Sequence, residues 1–256
     1  PASILHSKSP RTKVIPHIIH QSWKNQTLPK KFARWADSWK QHHPDWIYIL
    51  WTDEMNRDLV QREFPWFLST YDALPHNINR ADAARYLYMY QYGGVYADLD
   101  MECLRAMDAP VDEGEPALID RGAALIGRMG HNTRFEHSLP NAWMASSPGH
   151  PFWLVVVNLI VKNLGTPEGD SAEKLTGPVA LYKAWAQFSH RLFHEDFVVL
   201  PHGYIYPYDW NQALVHGAIC SAQSNTFDEV QCKRILEAEG EPGQPAYTIT
   251  YWSHSW

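Results

Sequence analysis

Two hydrophobic periods alternate along the first hundred residues. Val14 to His20 is a short, β-branched apolar run, the pattern of a buried strand. From Lys30 to His43, Phe32, Trp35, Ala36 and Trp39 recur at helical spacing, and His43-Pro44 ends the run. Trp46 to Trp51 reads as a second strand. Thr52 then stands as the N-cap of a helix reaching Glu63, with Asp53 and Glu54 in the first turn, where they meet the positive end of the helix dipole. Asn77 to Tyr92 reads as another helix, and Gly93 is placed to end it in a left-handed cap. Val95 to Leu99 is a buried strand that runs into aspartates. Strand, helix, strand, helix, strand predicts an α/β fold with a mostly parallel central sheet flanked by helices. In such sheets ligands sit beyond the carboxyl ends of the strands.

Beyond Asp120 the pattern loosens. Pro151 to Leu164 is expected to be a helix packed on the sheet, and Thr176-Gly177-Pro178 opens another through His190. Phe197 to Leu200 is a short strand and Tyr247 to Trp252 a final one. No repeat or interior linker interrupts the text, so the expected organisation is a loose leader at 1–13 and a single catalytic domain at 14–256.

Composition narrows the class. Apolar residues at 45% and charged residues at 20% suit a soluble globular domain. The 12 Trp, 13 Tyr and 9 Phe mostly fill a core, leaving some rings for sugar faces or bases. A net charge of −6 excludes a general nucleic-acid binder. The longest apolar run, Phe152 to Val161, is too short to cross a bilayer. Cys220 and Cys232 either close a short loop in an oxidising compartment, leaving Cys103 free, or all three are buried thiols. Asn25-Gln26-Thr27 is a glycosylation sequon of the kind found in a secretory lumen.

The chemistry concentrates at Asp98-Leu99-Asp100. Strand alternation puts both carboxylates on one side, where they repel unless a cation sits between them. Hard oxygen ligands suit Mn²⁺ or Mg²⁺, and such an ion takes phosphate oxygens as further ligands. On the preceding helix Asp82 and Arg85 stand three apart on one face. They are either a surface ion pair worth a few tenths of a kcal/mol or a clamp on a sugar and its diphosphate beside the metal.

The run from Arg80 to Tyr86 (Arg-Ala-Asp-Ala-Ala-Arg-Tyr), followed by Gly-Gly-Val-Tyr-Ala-Asp-Leu-Asp100, resembles the family 32 glycosyltransferases, distant kin of the clostridial glucosylating toxins. With Ile15 to Trp23, Leu50 to Met55 and Phe64 to Leu68, the first hundred residues look most like fungal inositol-phosphoceramide mannosyltransferase catalytic subunits. Asn141, His150 to Phe152, Thr176 to Pro178 and the final Ser-Trp extend the likeness.

The resemblance implies a GT-A type nucleotide-sugar-binding fold and a retaining, metal-dependent hexosyl transfer. Asp100 would bind the metal directly, and Asp98 would either contact it through water or bind the sugar and ribose. Asp82 and Arg85 would hold the donor sugar, Tyr96 would line the donor site, and Asn141 would face the reacting sugar. His20 and Gln21 would sit by the nucleobase, Trp256 would touch phosphate or base, and His254 would be a third metal ligand. GDP-mannose is favoured as donor over UDP-galactose, UDP-N-acetylglucosamine or UDP-glucose. The acceptor would be a glycan or glycolipid, met in the Golgi or another secretory lumen, with a membrane partner subunit.

Two other classes fit parts of the pattern. Haloacid-dehalogenase-type phosphatases also carry D-x-D at a strand end, but they place a Thr or Val where Glu102 stands here. A non-catalytic sugar-binding module would account for the aromatics, though not for the Asp82, Arg85, Asp98 and Asp100 group.

Overall fold

A computed structural model describes residues 13–110, 114–189, 196–209, 214–239 and 246–253. The expected leader at 1–13 lies outside them except for Lys13.

The N-terminal elements are β1 (Ile18–Ser22), α1 (Lys30–His42), β2 (Ile47–Trp51), α2 (Asp53–Glu63), α3 (Leu68–Ala73), α4 (Asn77–Gln91) and β3 (Gly94–Ala97); they follow the hydrophobic pattern except that β1 starts four residues later than expected and α3 was not expected. Thr52 caps α2 by accepting the Met55 N–H. Gly93 takes φ +66 at the end of α4, and Gly94 takes φ +87. A Cβ on Gly94 would lie 2.5 Å from the Ile18 carbonyl, so glycine is what lets β3 enter the sheet beside β1. Then come β4 (Met101–Cys103), β5 (Ala124–Gly127), β6 (Trp143–Ser146), α5 (Phe152–Asn163), α6 (Ala172–Leu175), α7 (Pro178–Ser189) and β7 (Phe197–Leu200). The elements end with α8 (Leu214–Cys220), α9 (Glu229–Glu239) and β8 (Thr248–Thr250).

Six strands form the central sheet in the order β2-β1-β3-β6-β5-β7. Pairs β1/β2, β1/β3 and β5/β7 are parallel, while β6 runs antiparallel to both β3 and β5. Side chains alternate across it. Tyr96, Ala124, Ile126 and Met144 pack with α2, α4, α5 and α7 on one face. Val95, Leu125, Trp143 and Ala145 pack with Trp39 of α1 and Met101 of β4 on the other. This is the α/β arrangement the sequence predicts, with helices on both faces.

A second, two-stranded sheet joins β4 to β8, pairing Met101 with Thr250 and Cys103 with Thr248. It folds the C-terminal segment back to the end of β3. The hairpin of α8 and α9 is closed by a disulfide between Cys220 and Cys232, while Cys103 is a buried free thiol.

Candidate functional site

Strand β3 ends at Ala97, so Asp98-Leu99-Asp100 is not a strand continuation. It is a turn, closed by the Met101 N–H donating to the Asp98 carbonyl at 3.1 Å. The expectation of strand alternation is therefore corrected. All three residues of the turn line one cavity of about 210 Å³, with Trp23, Arg85, Tyr96 and Ser253.

Helix α4 supplies the groups behind the turn. Arg85 Nη1 lies 3.0 Å from Asp98 Oδ1, and Nη2 lies 3.1 Å from Asp82 Oδ1. Both side chains of the Asp82–Arg85 pair are about 5% exposed, so the surface ion-pair reading fails. Arg85 also donates to the Asn141 carbonyl at 2.9 Å, and its guanidinium stacks 4.6 Å from the Tyr96 ring centroid. The Tyr96 hydroxyl donates to Asp98 Oδ1 at 2.6 Å. From the C-terminal segment the Ser253 N–H donates to Asp100 Oδ2 at 2.7 Å, and the Tyr251 N–H to the Asp100 carbonyl. The small β4/β8 sheet sets this register.

Burial governs the electrostatics. It pushes the Asp98 carboxyl up to about 6, against the pull of Arg85 and with Asp100 adding to the rise. Burial raises Asp100 too, against the Ser253 N–H, and raises Asp82 against Arg85. Arg85 stays charged: burial disfavours its cation, but Asp98, Tyr96 and Asp82 outweigh that. Three buried carboxylates thus face one guanidinium, leaving an excess of two negative charges when all are ionised. A divalent cation fits that deficit and the hard oxygen donors of Asp98 and Asp100. Among the described residues no cluster of three or more His, Cys, Asp or Glu forms a metal cage. Further ligands would have to be water or phosphate, or come from residues not described.

The other expected site residues fall in different places. Asn141 spends its amide on Asp82 Oδ1 at 2.9 Å and the Tyr86 hydroxyl at 3.1 Å, so it stands behind the clamp. Asp82 likewise accepts from Arg85, Asn141 and Thr176. His20 is fully buried, with one ring nitrogen on the Gly93 carbonyl and the other on the Trp51 indole, and has no edge to offer a base. Gln21 is also buried, donating to the Asp98 carbonyl and accepting from Tyr48. It braces the turn. The cavity is instead lined by the next three residues, Ser22, Trp23 and Lys24, and by Asp53 and Asn77. The Trp23 indole N–H is buried and has no hydrogen-bond partner among the described residues. His254 and Trp256 lie outside the described residues.

Sequence reasoning also missed Ser253 and Thr176. Ser253 donates its backbone N–H, which every residue but proline carries, and its side chain also bonds Asp100, but the contact spans 153 residues and no local signal marks it. Thr176 stands out only as the start of the Thr176 to Pro178 fragment, and nothing local ties its hydroxyl to Asp82, 94 residues away.

Comparison with known proteins places the D-x-D turn within a matched family region. Residues 29–117 match a family model described as a glycosyltransferase sugar-binding region containing the DXD motif. Inositol phosphoceramide mannosyltransferase 3 of Schizosaccharomyces pombe is 35% identical over 203 residues, covering 77% of this chain and 53% of that protein. Mannosyl phosphorylinositol ceramide synthase SUR1 of Saccharomyces cerevisiae is 38% identical over 145 residues, 57% of this chain and 34% of that one. The chain thus spans about half the length of the first relative and about a third of the second. A solved structure, the PaToxG glycosyltransferase, superposes with a TM-score of 0.49 at 18% identity, covering 68% of this chain and 69% of that one.

Proposed function

This chain belongs, through residues 29–117, to the glycosyltransferases with a DXD-containing sugar-binding region, and on that premise we propose a retaining, metal-dependent hexosyltransferase of the GT-A type. The observation that carries the reading is the convergence of Asp98, Asp100, Arg85 and Tyr96 on one cavity, where Arg85 is the one guanidinium set against three buried carboxylates, those two and Asp82 behind them. GDP-mannose is the favoured donor and a glycolipid the favoured acceptor, because two relatives are named for mannosyl transfer in inositol phosphoceramide chemistry. A membrane partner subunit would bring such an acceptor to the site. The Cys220–Cys232 disulfide supports an oxidising, secretory compartment such as the Golgi lumen. Among the described residues no helix is long and apolar enough to cross a membrane.

Asp98 and Asp100 would hold Mn²⁺ or Mg²⁺, which supplies Lewis-acid stabilisation of the departing diphosphate. Arg85 adds a fixed positive charge at the same place, pre-oriented by its two carboxylates, so it needs no reorganisation as charge develops. In front-side transfer the anomeric carbon–oxygen bond to phosphate breaks as the acceptor oxygen bonds to that carbon. The acceptor proton passes to the leaving phosphate oxygen. Tyr96 holds Asp98 in orientation, and the Ser253 N–H does the same for Asp100.

A thermal-shift screen of GDP, UDP, GDP-mannose and UDP-sugars, each with and without Mn²⁺, tests the proposal. A ligand at a hundred times its dissociation constant adds about 2.7 kcal/mol of stability. Metal-dependent stabilisation by GDP and GDP-mannose, lost in Asp100→Asn, is expected. Stabilisation by UDP alone overturns the donor choice, and no stabilisation by any nucleotide overturns the function.

A further inference from the structure

Resting on the donor-site reading above, we propose that Thr176 is a positioning residue. Its hydroxyl fixes the Asp82 carboxylate, and through Asp82 it aims Arg85 into the cavity. Thr176 follows α6 and is fully buried, although no part of it lines the cavity. Its Oγ1 donates to Asp82 Oδ2 at 2.9 Å across a separation of 94 residues.

The direction of that hydrogen bond follows from its neighbours. Asn79 Oδ1 accepts the His76 N–H at 3.2 Å, which fixes the amide and turns Nδ2 toward Thr176. Nδ2 then donates to Thr176 Oγ1 at 2.9 Å. An amide nitrogen only donates, so the single hydroxyl proton of Thr176 is left for an acceptor. Asp82 Oδ2 at 2.9 Å is closer than the other acceptor in reach, the Ala172 carbonyl at 3.3 Å. The residue itself is anchored by the Tyr86 hydroxyl, which donates to the Thr176 carbonyl at 2.6 Å.

What Thr176 controls is rotation of a buried carboxylate. Asp82 Oδ1 takes Arg85 Nη2 and Asn141 Nδ2, while Thr176 holds Oδ2 from the opposite side. With both oxygens engaged the carboxylate plane is set, and with it the line along which Arg85 reaches Asp98. Thr176→Val keeps the shape but removes the donor, freeing the plane and leaving a buried carboxylate oxygen and the Asn79 amide unsatisfied. Thr176→Ser keeps the hydroxyl and removes only a methyl group.

The two variants separate positioning from packing. Both lower the melting temperature, because each disturbs a buried site. Only Thr176→Val is expected to lower kcat for metal-dependent hydrolysis of the donor, by about tenfold, with donor KM within about threefold, since Arg85 acts on charge that develops in the transition state. Thr176→Ser should keep kcat within about twofold of wild type. A crystal structure of Thr176→Val, read independently of turnover, should show Arg85 displaced from Asp98. Unchanged kcat in Thr176→Val, or Arg85 still spanning Asp82 and Asp98 in that structure, overturns the proposal. Failure of the wild type to hydrolyse any nucleotide-sugar with metal would count against the donor-site reading instead, and the crystal structure would still decide the role of Thr176.

Discussion

Ionised Asp98 is held in the folded protein at a cost that a bound divalent cation would relieve, and its replacement by asparagine isolates that cost. The carboxyl titrates near 6 when folded, driven by burial, against an ordinary value of 3.8. At about 1.36 kcal/mol for each pH unit between them, ionised Asp98 destabilises the metal-free fold by about 3 kcal/mol at pH 7. The sign follows from proton counting. Between pH 4 and 6 the folded state binds more protons at this site than the unfolded state does, so the Asp98 contribution improves as pH falls through about 6 and levels off below about 4. An asparagine in its place would still accept from Tyr96 and Arg85 through its amide oxygen without carrying charge. Asp98→Asn is therefore expected to be more stable than wild type by about 1–3 kcal/mol in EDTA at pH 7, a rise of several degrees in melting temperature for a chain of this size. Urea denaturation of both proteins in EDTA from pH 4 to 8 measures this, and the difference should vanish toward pH 4. Saturating Mn²⁺ should invert the order, because only the wild type gains binding energy. If Asp98→Asn is no more stable than wild type in EDTA at pH 7, burial is not what strains this carboxylate, and the strain does not call for a cation.

Two further predictions concern the frame around the site. Gly93→Ala should lose about 2 kcal/mol or more in chemical denaturation, because φ is +66 there and a Cβ would lie 2.5 Å from the Ser146 carbonyl and 2.8 Å from Pro148; an unchanged urea midpoint would refute that. Cys220→Ala with Cys232→Ala should lose about 2–3 kcal/mol through the freed loop. The double variant should also bind Mn²⁺ more weakly, since Ala222, two residues beyond Cys220, donates to the Tyr251 carbonyl in the segment that reaches Asp100. Calorimetry giving wild-type Mn²⁺ affinity would show that the hairpin does not hold that segment.

Local patterns in the chain determined most elements of the first half of the fold, though not α3 or the turn that ends β3 at Ala97. Helix α1 carries its apolar residues at helical spacing, Thr52 caps α2 with its own side chain, and Gly93 ends α4 in the left-handed region, all decided by neighbours a few residues away. The D-x-D motif and the i,i+3 pair on α4 were legible for the same reason. Tertiary structure alone decided the rest. Strands β5 and β6 are four residues each and buried throughout, too short to show a period, and they become strands by pairing with one another and with β3 and β7. The burial of Asp82 and Arg85 depends on Asn141 and Thr176, which stand 59 and 94 residues beyond Asp82. His20 carries the chemistry of a ligand-binding residue, but the sheet encloses it between Gly93 and Trp51. The approach of Ser253 to Asp100 spans 153 residues and rests on the three-residue pairing of β4 with β8. Such contacts need the whole chain to close before they gain anything, so no local stretch of sequence records them.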